Sequence, residues 1–114
     1  MEPLEHYRDT IFALSSGAGI AGVAVIRISG QNVRFGLETI IGQLPQPRRA
    51  ELRTILGSDD QVLDRGLVFF FPAPASFTGE DCAELHVHGG RAVIESVLQR
   101  LADLENYRSA AGPD

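Results

Sequence analysis

The chain has 114 residues, is 44% hydrophobic and carries a formal net charge of −5. This length and composition indicate one compact globular domain rather than a disordered tail. The negative charge argues against a broad basic surface for gripping nucleic acid. All ten basic residues are arginine, and without lysine the Gly-Lys-Ser/Thr end of a Walker A phosphate loop is excluded. We therefore expect that this segment does not hydrolyse GTP or ATP by the P-loop route.

Cysteine content, hydropathy and the N-terminal sequence indicate the cellular compartment of the protein. A single cysteine, Cys82, excludes an intrachain disulfide and a cysteine-only metal site. The longest apolar run extends only from Leu67 to Phe71, whereas a membrane helix needs about 20 apolar residues. The N-terminus lacks the basic-then-apolar order of a secretory signal. These features predict a cytoplasmic protein that does not contact a membrane.

The chain-order pattern predicts strands and helices in the order β-β-α-β-β-β-α-β. Residues 1–8 are polar and are predicted to be a flexible tail. Strands are predicted over residues 9–16, 23–29, 51–56, 62–71, 81–88 and 107–110. Helices are predicted over 31–41 and 91–104. Two helices among five or six strands indicate an α+β fold, a mixed sheet with the helices packed on one face.

Apolar side chains within these elements predict the core. The helical stripes are Val33, Leu37, Ile40 and Ile41 in the first helix, and Val93, Val97, Leu98, Leu101 and Leu104 in the second. The aromatic residues of the Phe69–Phe71 run and Phe77 are predicted to be mostly core. Because successive strand residues point to opposite faces, one of them is expected to face outward and to suit a subunit interface.

The glycine-rich segment 17–22 matches the dinucleotide-binding fingerprint letter for letter. That fingerprint places a phosphate on the N-terminus of a following helix. A β-branched strand follows here instead, so we reject a Rossmann site. The segment is predicted to be a turn that lets a ligand or a second subunit approach the backbone closely.

The predicted strand over residues 81–88 is the most informative segment. Its alternation sends Ala83, Leu85 and Val87 toward the core. The side chains on the opposite face of the strand are those of Cys82, Glu84, His86 and His88.

Three interpretations of that polar face remain open. It is a solvent-facing side of a sheet covered on one face, a metal site, or a site for an organic ligand. A metal is disfavoured because alternate strand residues lie about 6.6 Å apart and His6 is the only further imidazole. In the third interpretation, Glu84 accepts two parallel N–H bonds from an amino-pyrimidinone edge.

Arg27 lies within an apolar predicted strand, where a permanent charge is costly unless it is paired. The residues alone favour a structural salt bridge over a ligand contact. Cys82 is interpreted as a small buried side chain without chemistry of its own.

Four ordered blocks of sequence resemble the N-terminal domain of the MnmE/TrmE family of tRNA-modification GTPases. The blocks span residues 9–11, 22–30, 71–81 and 84–90, and residues 63–66 also fit. The similarity runs from residue 9 to about residue 110, nearly the whole chain. In the family the chain continues with Pro-Gly-Glu-Phe-Thr and a further basic folate contact, whereas this sequence ends in Gly112-Pro113-Asp114. We expect this chain to be a fragment without the helical and GTPase domains.

The resemblance implies a folate-binding domain that forms a homodimer. It implies that a tetrahydrofolate derivative, 5-formyl- or methylene-tetrahydrofolate, contacts Arg27 and Glu84. It further implies modification of C5 of the wobble uridine of tRNA together with the flavoprotein MnmG/GidA. GTP, magnesium and potassium would bind only in the absent GTPase domain. With no nucleophile–base pair in view, no catalytic residue is predicted here.

Three alternatives are kept beside this interpretation. One is a stand-alone, aminomethyltransferase-like folate enzyme. Another is a metal-dependent enzyme that uses Glu84, His86 and His88. The third is a purely structural dimerisation domain.

Overall fold

The computed structural model describes residues 9–15 and 22–110. The elements are β1 (Thr10–Leu14), β2 (Val23–Ser29), α1 (Val33–Ile41), β3 (Glu51–Leu56), β4 (Val62–Phe71), β5 (Cys82–His88), α2 (Arg91–Ala102) and β6 (Tyr107–Ser109). Their order is the predicted one, although α1 begins later and α2 ends earlier than the apolar spacing suggested. The predicted tail 1–8, with His6, residues 17–21 of the glycine-rich turn and residues 111–114 lie outside the described residues.

The strands of the described residues form one six-stranded sheet in the order β3-β4-β5-β2-β1-β6. Neighbouring strands are antiparallel except β1 and β6, which run parallel. The predicted α+β fold with a mixed sheet is therefore confirmed. The β-branched strand β2 pairs with β5 at the centre of the sheet, where burial favours β-branched side chains.

The core lies on one face of the sheet, beneath both helices. The predicted inward residues of β5, Ala83, Leu85 and Val87, are all buried there. They pack in one cluster with side chains of the other strands and with Val33, Leu37, Ile40, Ile94, Val97 and Leu101 of the helices. The opposite face of the sheet, which carries Arg27, Phe69 and Glu84, is called the open face below.

The predicted stripe of α2 requires a correction. The fully inward line is Ile94, Val97 and Leu101, whereas Val93 and Leu98 are only partly buried at its margins. Residues spaced three and four apart share one helix face, and a neighbouring residue is turned by about 100° from it. The sequence contains several apolar residues around this helix, and packing against the sheet selects among them.

The expectation for the aromatic residues is correct in part. Phe70 is buried in the core, while Phe69 and Phe71 lie on the open face with their rings stacked at 6.0 Å. Phe77 is not core at all, because 81% of it is exposed. The loop that carries it, residues 72–81, passes over the open face instead of under the helices.

Candidate functional site

Arg27 and Glu84 are direct neighbours across the two central strands. The antiparallel register pairs Arg27 of β2 with Glu84 of β5, and Arg27 Nε lies 3.1 Å from Glu84 Oε2. Both side chains point to the open face because their neighbours Ile28 and Ala83 fill the core. The arginine side chain is 50% exposed and the glutamate side chain 22%. The structure therefore contains the salt bridge that the residues alone favoured for Arg27.

His86 contacts the other oxygen of the same carboxylate. His86 Nε2 lies 2.9 Å from Glu84 Oε1, and the His86 ring lies 4.9 Å from the ring of Phe69. Glu84 is thus held from two sides, by Arg27 and by His86. An ionised carboxylate offers about four acceptor positions, so two contacts leave each oxygen able to accept another hydrogen bond.

A cleft of about 180 Å³ opens on the open face beside this ion pair. One side of it is sheet, and the other is the loop 72–81, which contributes Phe77 and Thr78. Its lining is mostly apolar, with Arg27 and Glu84 as its charged members. The lining residues are Ile11, Phe12, Ala13, Arg27, Ile28, Ser29, Phe71, Phe77, Thr78, Cys82, Ala83, Glu84 and Ala110.

Three small polar side chains join the loop to the sheet inside this cleft. The hydroxyl oxygens of Ser29 and Thr78 lie 2.7 Å apart, and Thr78 Oγ1 lies 3.2 Å from Cys82 Sγ. Burial acts to raise the pKa of the Cys82 thiol, but hydrogen bonds with Ser29 and Thr78 outweigh it, so the pKa is lowered. Cys82 is buried, as expected.

The loop is also anchored at its ends. Asp81 Oδ1 accepts a hydrogen bond from the Ala73 backbone N–H at 2.8 Å, and Asp81 Oδ2 pairs with Arg34 Nε at 3.1 Å. Arg48 donates from Nη2 to the Ala75 carbonyl oxygen at 2.8 Å. The loop contains a cis peptide bond between Ala73 and Pro74. These contacts hold the ring of Phe77 5.0 Å from the guanidinium carbon of Arg27.

A second polar pair lies at the far end of β5. His88 Nδ1 is 2.8 Å from Asp64 Oδ1, and the His88 backbone N–H donates to Asp64 Oδ2 at 2.9 Å. Burial acts to raise the pKa of Asp64, but hydrogen bonds from the His88 amide and imidazole outweigh it and lower the pKa. An ionised carboxylate can only accept, so Nδ1 of His88 is the donor.

The polar side chains of β5 therefore have separate partners. Glu84 and His86 contact each other, whereas His88 turns to Asp64 of the neighbouring strand. Within residues 9–15 and 22–110, no three His, Cys, Asp or Glu side chains converge where they could hold a metal ion.

Several of these residues were missed by the sequence analysis. Phe77 stands alone among loop-forming residues, and an isolated aromatic in such a segment was a usable signal. Asp64 lies at an even-numbered position of β4, and the even-numbered residues that follow it in this strand are buried in the core. A charged side chain at such a position requires a partner. Thr78 and Ser29 carried no comparable signal, because their contact depends on the path of the loop.

Comparison with known proteins agrees with the blocks of sequence described above. The family described as GTP-binding protein TrmE N-terminus matches residues 10–112. The chain is 56% identical to a tRNA modification GTPase MnmE of Brucella canis over 110 residues, which is 96% of this chain and 25% of that protein. Proteins of the same description from Brucella abortus and Brucella anthropi are 56% and 53% identical over the same shares.

The chain spans about a quarter of the length of these relatives. Neither helix in the described part of the chain is long and apolar enough to cross a membrane. The family resemblance seen in the sequence is confirmed, and the chain belongs to the family described as GTP-binding protein TrmE N-terminus.

Proposed function

We propose that residues 9–114 form the tetrahydrofolate-binding and dimerisation domain of a tRNA-modification GTPase. The observation that carries the proposal is the oriented carboxylate of Glu84, paired with Arg27 at a mostly apolar cleft. The relatives of this chain are described as tRNA modification GTPases. The longer protein would act in the cytoplasm, together with MnmG/GidA, on C5 of the wobble uridine of tRNA. When bound, the folate supplies a one-carbon unit.

The residues of the cleft fit the chemistry of a folate head group. An amino-pyrimidinone edge presents parallel N–H donors, which a carboxylate accepts well. Glu84 retains acceptor capacity beside its contacts to Arg27 and His86. The apolar lining suits the faces of the planar pyrimidinone ring, since ligand sites combine apolar walls with a few placed polar groups.

Each of these side chains has a definite task in the proposal. Glu84 binds the polar edge of the ring, while Arg27 and His86 hold its two oxygens in place. The guanidinium of Arg27 keeps further N–H donors for a ring carbonyl or nitrogen. The loop 72–81 forms one side of the cleft.

The dimer proposal has its own support on the open face. Val23, Leu52 and Leu67 are each at least 40% exposed and line one groove with His86 and His88. Clustered exposed apolar side chains mark interaction surfaces. A second copy of this domain would cover them.

GTP, magnesium and potassium would bind in the GTPase domain of the longer protein, so this segment alone would not be catalytic.

Isothermal titration with 5-formyltetrahydrofolate tests the binding proposal. We expect the folded wild-type chain to bind at micromolar strength, about −8 kcal/mol. The Glu84→Gln variant removes the charged acceptor, and we expect about 30-fold weaker binding or more. Glu105→Gln is the matched control, because Glu105 is exposed in the turn that follows α2. The affinity of this variant should equal that of the wild type.

Light scattering after size exclusion tests the dimer, with Leu67→Glu as the variant that places a charge in the groove. A folded wild-type chain that dimerises and binds no folate would leave a structural dimerisation domain. A monomer that binds folate would contradict the dimer alone.

Zinc titration tests the metal-dependent alternative. That alternative requires stoichiometric binding of zinc to the wild-type chain, and loss of this binding in the His86→Ala and His88→Ala variants.

A further inference from the structure

Phe77 is the most exposed large apolar side chain among the described residues, at 81%. Its loop is nevertheless tied to the rest of the domain at several points. Thr78, next to it, contacts Ser29 of β2, and the Ser76 hydroxyl donates to the Glu80 carbonyl across the tip. Holding a segment in one conformation costs conformational entropy, and holding an aromatic ring in water gains nothing from the hydrophobic effect.

The position of the ring indicates what it is held for. It contributes to the lining of the cleft and lies 5.0 Å from the guanidinium carbon of Arg27. The cleft offers aliphatic surface from Ile11 and Ala13 on its sheet side. A flat ring in this cleft, with its polar edge at Glu84, would lie within reach of the aromatic ring on the loop.

We propose that Phe77 is a binding residue that packs against the planar pyrimidinone ring of the ligand. The ligand class rests on the function proposed above, and Phe77 adds a recognition element to it. Contact between an aromatic side chain and a heteroaromatic ring tolerates varied ring substituents because it uses the π-face. Glu84 and Arg27 would therefore bind the polar edge of the pyrimidinone ring, and Phe77 would pack on its face.

The first test compares affinities for 5-formyltetrahydrofolate by titration calorimetry. We expect Phe77→Ala to bind about tenfold more weakly, in the range of aromatic–base stacking contacts. Phe77→Tyr should remain within about twofold of the wild type and Phe77→Leu should fall between, because packing depends on the ring. Phe35→Ala is the matched control: Phe35 is a 50% exposed phenylalanine of α1, across the sheet from the cleft.

A double-mutant cycle separates direct contact from an effect relayed through Arg27. In an Arg27→Gln background, Phe77→Ala should still weaken binding if the ring touches the ligand. If Phe77 acts only by holding Arg27, the second substitution should have no further effect. That result would overturn the proposal.

The sequence contains no tryptophan, which permits an independent readout. In a Phe77→Trp variant, saturating ligand should reduce quenching of the indole by acrylamide, and in Phe35→Trp it should not. Protection that rises with protein concentration in the absence of ligand would instead assign the ring to a subunit interface and overturn the proposal.

The two proposals fail in different ways. Wild-type protein that binds 5-formyltetrahydrofolate with unchanged affinity after Phe77→Ala contradicts the role of Phe77 alone. Folded wild-type protein that binds no folate contradicts the proposed function, and with it the ligand assigned to Phe77.

Discussion

The two faces of the sheet are built from the same strands but follow different rules. In β5, Ala83, Leu85 and Val87 are buried beneath the helices. The alternate residues Glu84 and His86 share an ion-paired, half-exposed network on the open face. Neighbouring residues of one strand therefore serve packing and recognition separately.

The difference shows how polar groups are accommodated in this domain. On the covered face the side chains are nearly all apolar and need only fit one another. On the open face each charge of the cleft has a partner, and every buried side-chain nitrogen or oxygen among the described residues is hydrogen-bonded. Stability should accordingly depend on the covered face, and ligand affinity on the open face.

The largest expected effect comes from the covered face. Leu85→Ala removes a fully buried side chain and should lower the free energy of unfolding by about 3 kcal/mol, from lost burial and the cavity left behind. Urea denaturation followed by circular dichroism measures it. Phe77→Ala, on the open face and outside the proposed dimer groove, is the control in the absence of ligand and should cost less than about 1 kcal/mol, because Phe77 is 81% exposed. Equal losses would contradict the division between the faces.

A middle effect is expected where the half-buried carboxylate of Asp64 meets the end of β5. Asp64→Asn should cost about 1 kcal/mol at pH 7, since it removes a charged acceptor of two hydrogen bonds from His88. The pKa of Asp64 is lowered by folding. Its contribution is therefore full above the unfolded pKa, near 3.9, and is lost as the pH falls through the folded pKa.

Urea midpoints measured between pH 7 and pH 2 check this prediction. The wild type and Asp64→Asn should converge at the acid end. Asp60→Asn serves as the control, since Asp60 is an exposed turn residue with a positive φ that asparagine also adopts. A gap between wild type and Asp64→Asn that stays constant with pH would show that the charge of Asp64 is irrelevant.

The smallest effect on stability is expected at the proposed ligand site. Glu84→Gln should change the free energy of unfolding by no more than about 1 kcal/mol, because the Arg27 side chain is half exposed and such pairs are screened by water. The same variant should lose folate affinity strongly. A loss of stability comparable to that of Leu85→Ala, with affinity unchanged, would make Glu84 a structural residue.

Local sequence was sufficient for the elements because their signals are local. The run of β-branched residues predicted β2 with the bounds that the structure has. The alternation of β5 predicted which side chains are buried, since the side-chain period of a strand is two. Local sequence did not specify the buried stripe of α2, because apolar residues flank it on both sides and only packing selects Ile94 over Val93 and Leu98.

The sequence by itself thus determined the order of strands and helices, the division of β5 into two faces, and the family. Only the tertiary structure decided that Arg27 lies opposite Glu84, that Asp64 meets His88, and that Phe77 lies over the cleft. Each of those contacts joins residues far apart in the chain through the strand order β3-β4-β5-β2-β1-β6 or through the path of a loop. Strand periodicity specifies which face a side chain occupies, but the neighbour it meets there is set by the pairing of strands across the sheet.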